Sequence, residues 1–227
     1  MIKKRFIDNM NTSEYLKIID ELKQYNDVTL VAVSKTKPTE DILELYKLGQ
    51  RDFGENKVQE FIEKYEQLPK DIRWHFIGHL QTNKVKNIIG KVHLIHSVES
   101  IKLANEINKF SKKLDIVTDI LVQVNFSNDP NKFGIDGDKT FKFLEEISHL
   151  TNIKIRGLMM IPRYDLTESQ LDVLFSKFKG LSLDIIVKNI DNINMDFLSF
   201  GMSEDYKIAI KNGSNMIRVG SKIFGKR

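Results

Sequence analysis

The sequence predicts a single closed (β/α)8 barrel on three observations. Short strand patterns alternate eight times with amphipathic helices, and the clearest strand is apolar on both faces, as in a parallel sheet covered on each side. The length of 227 residues also suits a barrel of this kind folding as one domain.

Taken in order, residues 1–27 read as a leading helical segment. Within it, Thr12 to Gln24 carries Leu16, Ile19 and Leu22 at helical spacing behind Thr12 and Ser13 as N-cap candidates. Val28 to Val33 is a continuous apolar and β-branched run, halted by Ser34-Lys35-Thr36-Lys37-Pro38. Thr39, with Glu40 and Asp41 in the first turn, opens a helix that carries Ile42, Leu43, Leu45, Tyr46 and Leu48 and stops at Gly49. The unit then recurs. A short strand at Arg51 to Phe53 leads through Gly54-Glu-Asn56 to a helix near Val58 to Leu68, and Trp74 to Ile77 leads through Gly78-His-Leu-Gln81 to another. Val92 to His96 precedes a helix around Ile101 to Phe110, and Thr118 to Val124 precedes one around Phe141 to Leu150. Lys154 to Ile161 and Phe197 to Phe200 are each followed by helices, and Met216 to Val219 closes the series. The whole of residues 1–227 is therefore expected to form one barrel domain.

Composition narrows the function. Hydrophobic residues at 41% and charged residues at 29%, with only 12 Gly and 4 Pro, describe an ordinary globular chain. The net charge of +4 comes from 35 Lys and Arg interspersed with 31 Asp and Glu, so no basic block points to nucleic acid, while a modest positive excess suits an anionic small ligand. The chain has no cysteine, which excludes disulfides and thiolate chemistry. The basic start Met1 to Arg5 is not followed by a signal-type apolar region, and no stretch approaches ~18 apolar residues, so a cytoplasmic protein without membrane spans is expected.

In a barrel the chemistry belongs to the loops after the strand ends. Lys35 follows the first apolar strand with the parity of Val31 and Val33, which would bring its amine to the barrel mouth. Desolvation there would favour the neutral amine, a nucleophile able to form a Schiff base with an aldehyde, although position alone fits a surface lysine as well. Phe200-Gly-Met-Ser-Glu-Asp205 and Val219-Gly-Ser-Lys222 follow the last two strands, where barrels often hold phosphate because small residues let backbone N–H groups approach an anion. The plainer reading is that Ser203 caps the next helix and that Gly220 and Ser221 make a turn. Arg218 stands inside an apolar strand and requires a partner, whether a carboxylate in the barrel, a phosphate, or the ring nitrogen of a pyridine cofactor. His75 and His79 flank one strand without a third ligand at metal spacing, so no metal is expected and His75 reads as a satisfied core residue. Met159, Met160 and Met195 most simply fill core space.

With these residues in view, the chain resembles the pyridoxal 5′-phosphate (PLP) homeostasis protein family. The motifs that carry the resemblance are Ala32-Val-Ser-Lys-Thr-Lys-Pro38, Phe53-Gly-Glu-Asn56 and Trp74-His-Phe-Ile-Gly-His-Leu-Gln-Thr-Asn-Lys84, followed by Arg156-Gly-Leu-Met159, Leu198-Ser-Phe-Gly-Met-Ser203, Ile217-Arg-Val-Gly-Ser221 and Ile223-Phe-Gly225. The resemblance implies the barrel that also forms the N-terminal domain of bacterial alanine racemases, with PLP held on Lys35. It further implies that Ser203, Gly220 and Ser221 bind the cofactor phosphate, that Arg218 lies near the pyridine ring, and that Asn56 and Met159 line the pocket. Ser221 stands where threonine is frequent in the family, and keeps the hydroxyl.

The function so implied is a PLP carrier or buffer, with no catalytic residue assigned, whose partners are PLP and PLP-requiring apoenzymes. The alternative is a PLP-dependent enzyme such as an amino-acid racemase, which needs an acid or base on each face of the substrate Cα. All 227 residues are consumed by the barrel and its leading helix, which leaves no second domain to supply the opposing group. A PLP-free Schiff-base aldolase is a further rival, and the motif set speaks against it. The expected assembly is a monomer or weak dimer.

Overall fold

A computed structural model describes residues 10–126 and 133–225; the basic start Met1 to Arg5 lies outside the described residues. Among the described residues there are nine strands: β1 (Thr29–Val33), β2 (Asp52–Glu55), β3 (Arg73–Phe76), β4 (Leu94–Val98), β5 (Thr118–Asn125), β6 (Ile135–Asp136), β7 (Ile153–Met159), β8 (Ile193–Ser199) and β9 (Met216–Val219). Eight of them form a parallel sheet in the order β4-β3-β2-β1-β9-β8-β7-β5, and β4 also pairs with β5, so the sheet closes on itself. The chain is a closed (β/α)8 barrel. The remaining strand, β6, is a two-residue addition beside the C-terminal end of β5.

The helices are α1 (Thr12–Leu22), α2 (Thr39–Lys47), α3 (Val58–Gln67), α4 (Ile101–Lys113), α5 (Thr140–Ile147), α6 (Glu168–Lys188), α7 (Tyr206–Lys211) and α8 (Ser221–Phe224). Strand residues alternate between two cores because successive side chains point to opposite faces. Ala32, Phe53, Trp74, Ile95 and Val122 face the helices and join the main apolar core there. Val31, Leu94, Leu121, Met159 and Met216, with Phe197 against them, form a separate cluster inside the barrel. That inner plug is the floor on which the functional end of the barrel rests.

The structure corrects several sequence expectations. In α1 the buried stripe is Tyr15, Ile18 and Leu22, whereas Leu16 is half exposed. Apolar residues at 15, 16, 18, 19 and 22 offer two overlapping stripes, and the end of the helix selects one. Asn11, not Thr12 or Ser13, is the N-cap, accepting from the Glu14 N–H at 3.0 Å while its own backbone N–H donates to the Ile223 carbonyl at 2.6 Å. Strand β2 runs two residues further than expected and takes in Gly54 and Glu55. The segment after β3 forms a 3-10 helix over Thr82–Asn87 instead of an α-helix. It is short and contains Thr82, Asn83 and Asn87, residues that disfavour a sustained α-helix. No helix among the described residues is long and apolar enough to cross a membrane.

Candidate functional site

The C-terminal ends of the strands open into a cavity of about 920 Å³, and Lys35, Asn56, Ser203, Arg218, Gly220 and Ser221 all line it. Met159 does not. Its side chain is fully buried in the inner plug, one layer beneath the cavity, because a bulge between Ile155 and Gly157 resets the pleat of β7. His79 and Phe133, which sequence reasoning did not place at a site, stack at 4.1 Å on the cavity wall, and His79 Nδ1 lies 2.6 Å from Glu99 Oε1.

Lys35 sits in a turn that is fastened on both sides. Behind it, the Ser34 carbonyl accepts from Lys64 Nζ at 2.8 Å, and the Ser34 hydroxyl donates to Glu55 Oε1 at 2.6 Å. Ahead of it, the Thr36 N–H donates to the Glu60 carboxylate with Thr36 in a left-handed conformation at φ 64°, and Lys37 Nζ donates to the Phe224 carbonyl at 2.5 Å. Lys64 completes the clamp with ion pairs of 2.7 Å to both Glu55 and Glu60. Burial pushes the Glu55 carboxyl up, and the Lys64 ammonium opposes that push. Both motif lysines line the cavity, but the amine of Lys37 is tied to the end of α8.

Just past the end of β2, Asn56 Oδ1 is buried at the cavity with no hydrogen-bond partner among the described residues. Its backbone is held by Gly78, where a Cβ would collide with the Asn56 carbonyl oxygen. A buried acceptor without a donor is costly, so this atom fits a ligand that supplies an N–H or O–H group.

The two small-residue loops meet across the cavity. Ser203 does not cap α7, whose N-cap is Asp205. Its hydroxyl oxygen instead faces the other loop and accepts from the backbone N–H groups of Gly220 at 3.3 Å and Lys222 at 3.4 Å. Gly220 lies close against the end of β1, where a Cβ would stand 3.2 Å from the Val33 carbonyl oxygen. Clustered N–H and O–H donors with little side-chain bulk make a cradle for an anionic oxygen group.

Arg218 is almost fully buried and donates to Ser199 Oγ at 2.6 Å and to the Met160 carbonyl at 3.0 Å. Burial lowers its pKa to about 10, against the attraction of Asp205, so it remains a cation at neutral pH. Among the described residues no carboxylate bonds to it directly; Asp205 Oδ1 accepts from the Met202 N–H instead. His75, expected to be a satisfied core residue, bonds through Nδ1 to His96 Nε2 at 2.9 Å and through Nε2 to Asp52 Oδ1 at 3.0 Å. Sequence reasoning missed Ser199, His96 and Asp52 as parts of this arrangement. Among the described residues, no group of three or more His, Asp or Glu side chains is placed to hold a metal.

A primary amine, a fixed cation, an unpartnered amide oxygen and an anion cradle therefore converge on one cavity. Comparison with known proteins is consistent with that chemistry. Residues 12–227 match the family model for the alanine racemase N-terminal domain. A pyridoxal phosphate homeostasis protein of Aquifex aeolicus is 41% identical over 203 residues, covering 89% of this chain and 88% of that protein. The chain belongs to the pyridoxal phosphate homeostasis protein family. The Schizosaccharomyces pombe member is 40% identical over 204 residues, covering 88% of this chain and 85% of its own length. PipY of Synechococcus elongatus, in a structure with PLP bound, superposes with a TM-score of 0.84 at 34% identity, over 92% of this chain and 99% of PipY. An alanine racemase of Clostridium difficile shares the fold at a TM-score of 0.77 and 16% identity, over 96% of this chain and 58% of the racemase.

Proposed function

We propose that this chain holds PLP reversibly on Lys35 and buffers it or supplies it to PLP-requiring apoenzymes. The observation that carries the reading is the placement of the Lys35 amine in the same cavity as the Ser203, Gly220 and Ser221 loops, an aldehyde-reactive group together with a phosphate cradle. When bound, PLP supplies an aldehyde carbon with which a lysine amine condenses, with loss of water. In this reading Ser203, Gly220 and Ser221 receive the phosphate, Arg218 faces the ring, Asn56 supplies an acceptor at its edge, and Met159 supports the floor from beneath. A permanent cation at Arg218 disfavours protonation of a ring nitrogen beside it, which weakens the ring as an electron sink and suits holding over turnover. Residues 1–227 are taken as one domain with a leading helical segment, acting in the cytoplasm as a monomer or weak dimer, without nucleic acid.

Borohydride reduction of the PLP-loaded protein followed by peptide mapping is expected to place the phosphopyridoxyl group on Lys35. A label chiefly on Lys37 would overturn the assignment. The loaded protein is also expected to reactivate an apo-transaminase faster than free PLP does, and to leave a panel of amino acids unconverted. Multiple turnovers of any amino acid, lost on Lys35→Ala, would make this an enzyme.

The phosphate cradle makes its own prediction. A valine at Gly220 would press its branched carbons against Val33 and into the space where the Gly220 N–H and Ser203 hydroxyl meet. Gly220→Val should weaken PLP binding roughly tenfold or more, ~1.4 kcal/mol, and pyridoxal binding much less. Comparing the two affinities by titration checks this, and equal losses would mean the loops do not read phosphate.

A further inference from the structure

Beneath the cavity, a chain of buried polar groups crosses the barrel interior from Arg218 to Asp52. Its links are Arg218 to Ser199 Oγ at 2.6 Å, Ser199 Oγ to His96 Nδ1 at 3.0 Å, His96 Nε2 to His75 Nδ1 at 2.9 Å, and His75 Nε2 to Asp52 Oδ1 at 3.0 Å. Every member is buried. Asp52 is further held by Arg73, whose Nε donates at 2.8 Å and whose Nη2 donates at 2.5 Å.

Donor and acceptor chemistry assigns each proton. A guanidinium only donates, so Ser199 Oγ accepts from Arg218 and has its single hydrogen left for His96 Nδ1. His96 Nδ1 is then the bare nitrogen, and the ring proton sits on Nε2, aimed at His75 Nδ1. By the same step His75 is protonated on Nε2, which donates to the carboxylate of Asp52, an acceptor only. Every hydrogen thus finds an acceptor with both imidazoles neutral. The reverse order requires a doubly protonated His75 in the barrel interior and leaves the Ser199 hydrogen without its acceptor.

The electrostatics agree with the forward order. Burial, with the Arg218 cation nearby, holds His96 well below the usual histidine range. Burial alone would raise the Asp52 carboxyl, yet the hydrogen bonds from His75 and Arg73 more than offset it and hold Asp52 at about 2. The chain therefore has a cation at one end, an anion at the other, and neutral groups polarised in one direction between them.

We propose that Asp52, His75, His96 and Ser199 form a one-way hydrogen-bond relay that fixes the Arg218 guanidinium in the cavity wall, with Ser199 as the positioning residue. The relay grips the buried cation through a neutral hydroxyl, while the nearby Asp205 carboxylate favours its charge and the Asp52 end is anchored by Arg73. A carboxylate bonded directly to Arg218 would occupy guanidinium donors and compete with a ligand for them, whereas a serine hydroxyl takes one N–H and leaves the others to the wall. The functional part of this inference rests on the PLP-holding reading; the proton order does not.

Two measurements test it. In the ligand-free, 15N-labelled protein, long-range 1H–15N correlation spectra are expected to show His75 and His96 both neutral and both protonated on Nε2. A proton on His96 Nδ1, or an imidazolium at His75, would overturn the relay. In the PLP-loaded protein, Ser199→Ala is expected to weaken PLP binding about tenfold and to shift the visible absorption maximum, because the guanidinium beside the ring is no longer held; Ser199→Thr, which keeps the hydroxyl, should restore both. A purely structural serine would lower the melting temperature without moving the absorption maximum, and an unmoved maximum with unchanged affinity would sink the positioning role. If the wild-type protein took up no PLP, the functional reading would fail while the histidine tautomers still decided the relay.

Discussion

Replacing Lys35 with alanine is expected to abolish the visible absorption band and the borohydride-trapped adduct, and to weaken PLP binding by at least ~100-fold, ~2.7 kcal/mol. The effect should be close to all-or-none because Lys37, the other lysine lining the cavity among the described residues, has its amine engaged elsewhere. Lys37 Nζ is held on the Phe224 carbonyl, and Lys64 is buried between Glu55 and Glu60 on the helix side of β2. What should survive is weak binding through the Ser203 and Gly220 loops, which titrates with PLP and hardly at all with pyridoxal. Folding should be nearly unaffected, because Lys35 lies at the cavity and not in either apolar core. A visible band that persisted in Lys35→Ala would locate the reactive amine elsewhere. Absorption titration and far-ultraviolet circular dichroism on the same samples separate loss of the amine from loss of the fold.

The second large effect should come from outside the cavity. Lys64→Met removes the cation that compensates Glu55, a carboxylate with no exposure whose second oxygen has no hydrogen-bond partner among the described residues. Breaking one side of a buried ion pair typically costs about 3–5 kcal/mol, because the remaining charge stays desolvated. The same change frees the Ser34 carbonyl and loosens the turn that carries Lys35. Chemical denaturation at neutral pH should therefore show a loss of that size, together with weaker PLP uptake. The pH dependence has a definite sign. Burial raises the Glu55 pKa in the folded state, so its contribution is fully present below the unfolded pKa and is lost as pH rises through the folded one. Without Lys64 the raised pKa goes higher still, and the variant should be least impaired under mildly acidic conditions. Glu55→Gln added to Lys64→Met should recover most of the lost stability. If the single variant were as stable as the wild type across this pH range, the clamp would have no energetic role.

Much of the fold was legible because periodicity is a local property. The apolar run that became β1, the helix from Thr39 to its glycine stop and the eightfold alternation each follow from residues adjacent in sequence, and the closed parallel sheet follows from their repetition. Local patterns were weakest where two solutions overlapped. The apolar residues of α1 could have turned either of two stripes inward, and contact with the end of α8 made the choice. The segment after β3 was periodic enough to suggest a helix but too short and too rich in Thr and Asn to sustain one.

The site divides in the same way. Position after a strand end drew attention to Lys35, Ser203, Gly220 and Ser221, and a charge inside an apolar strand to Arg218, with the plainer readings left open; the barrel brings all five to one cavity. Their partners were not readable. Ser203 turned from its own helix to the amides of Gly220 and Lys222, and Met159 dropped into the inner plug when a bulge reset the pleat. Arg218 is linked to Asp52, 166 positions away in sequence, through a serine and two histidines from three other strands. By itself the sequence determined the order of strands and helices and which chemical groups would reach the barrel mouth, because backbone alternation and strand parity are set by neighbouring residues. Only the tertiary structure decided which group bonds to which, because hydrogen bonds and ion pairs depend on distances of about 3 Å between strands remote in the chain.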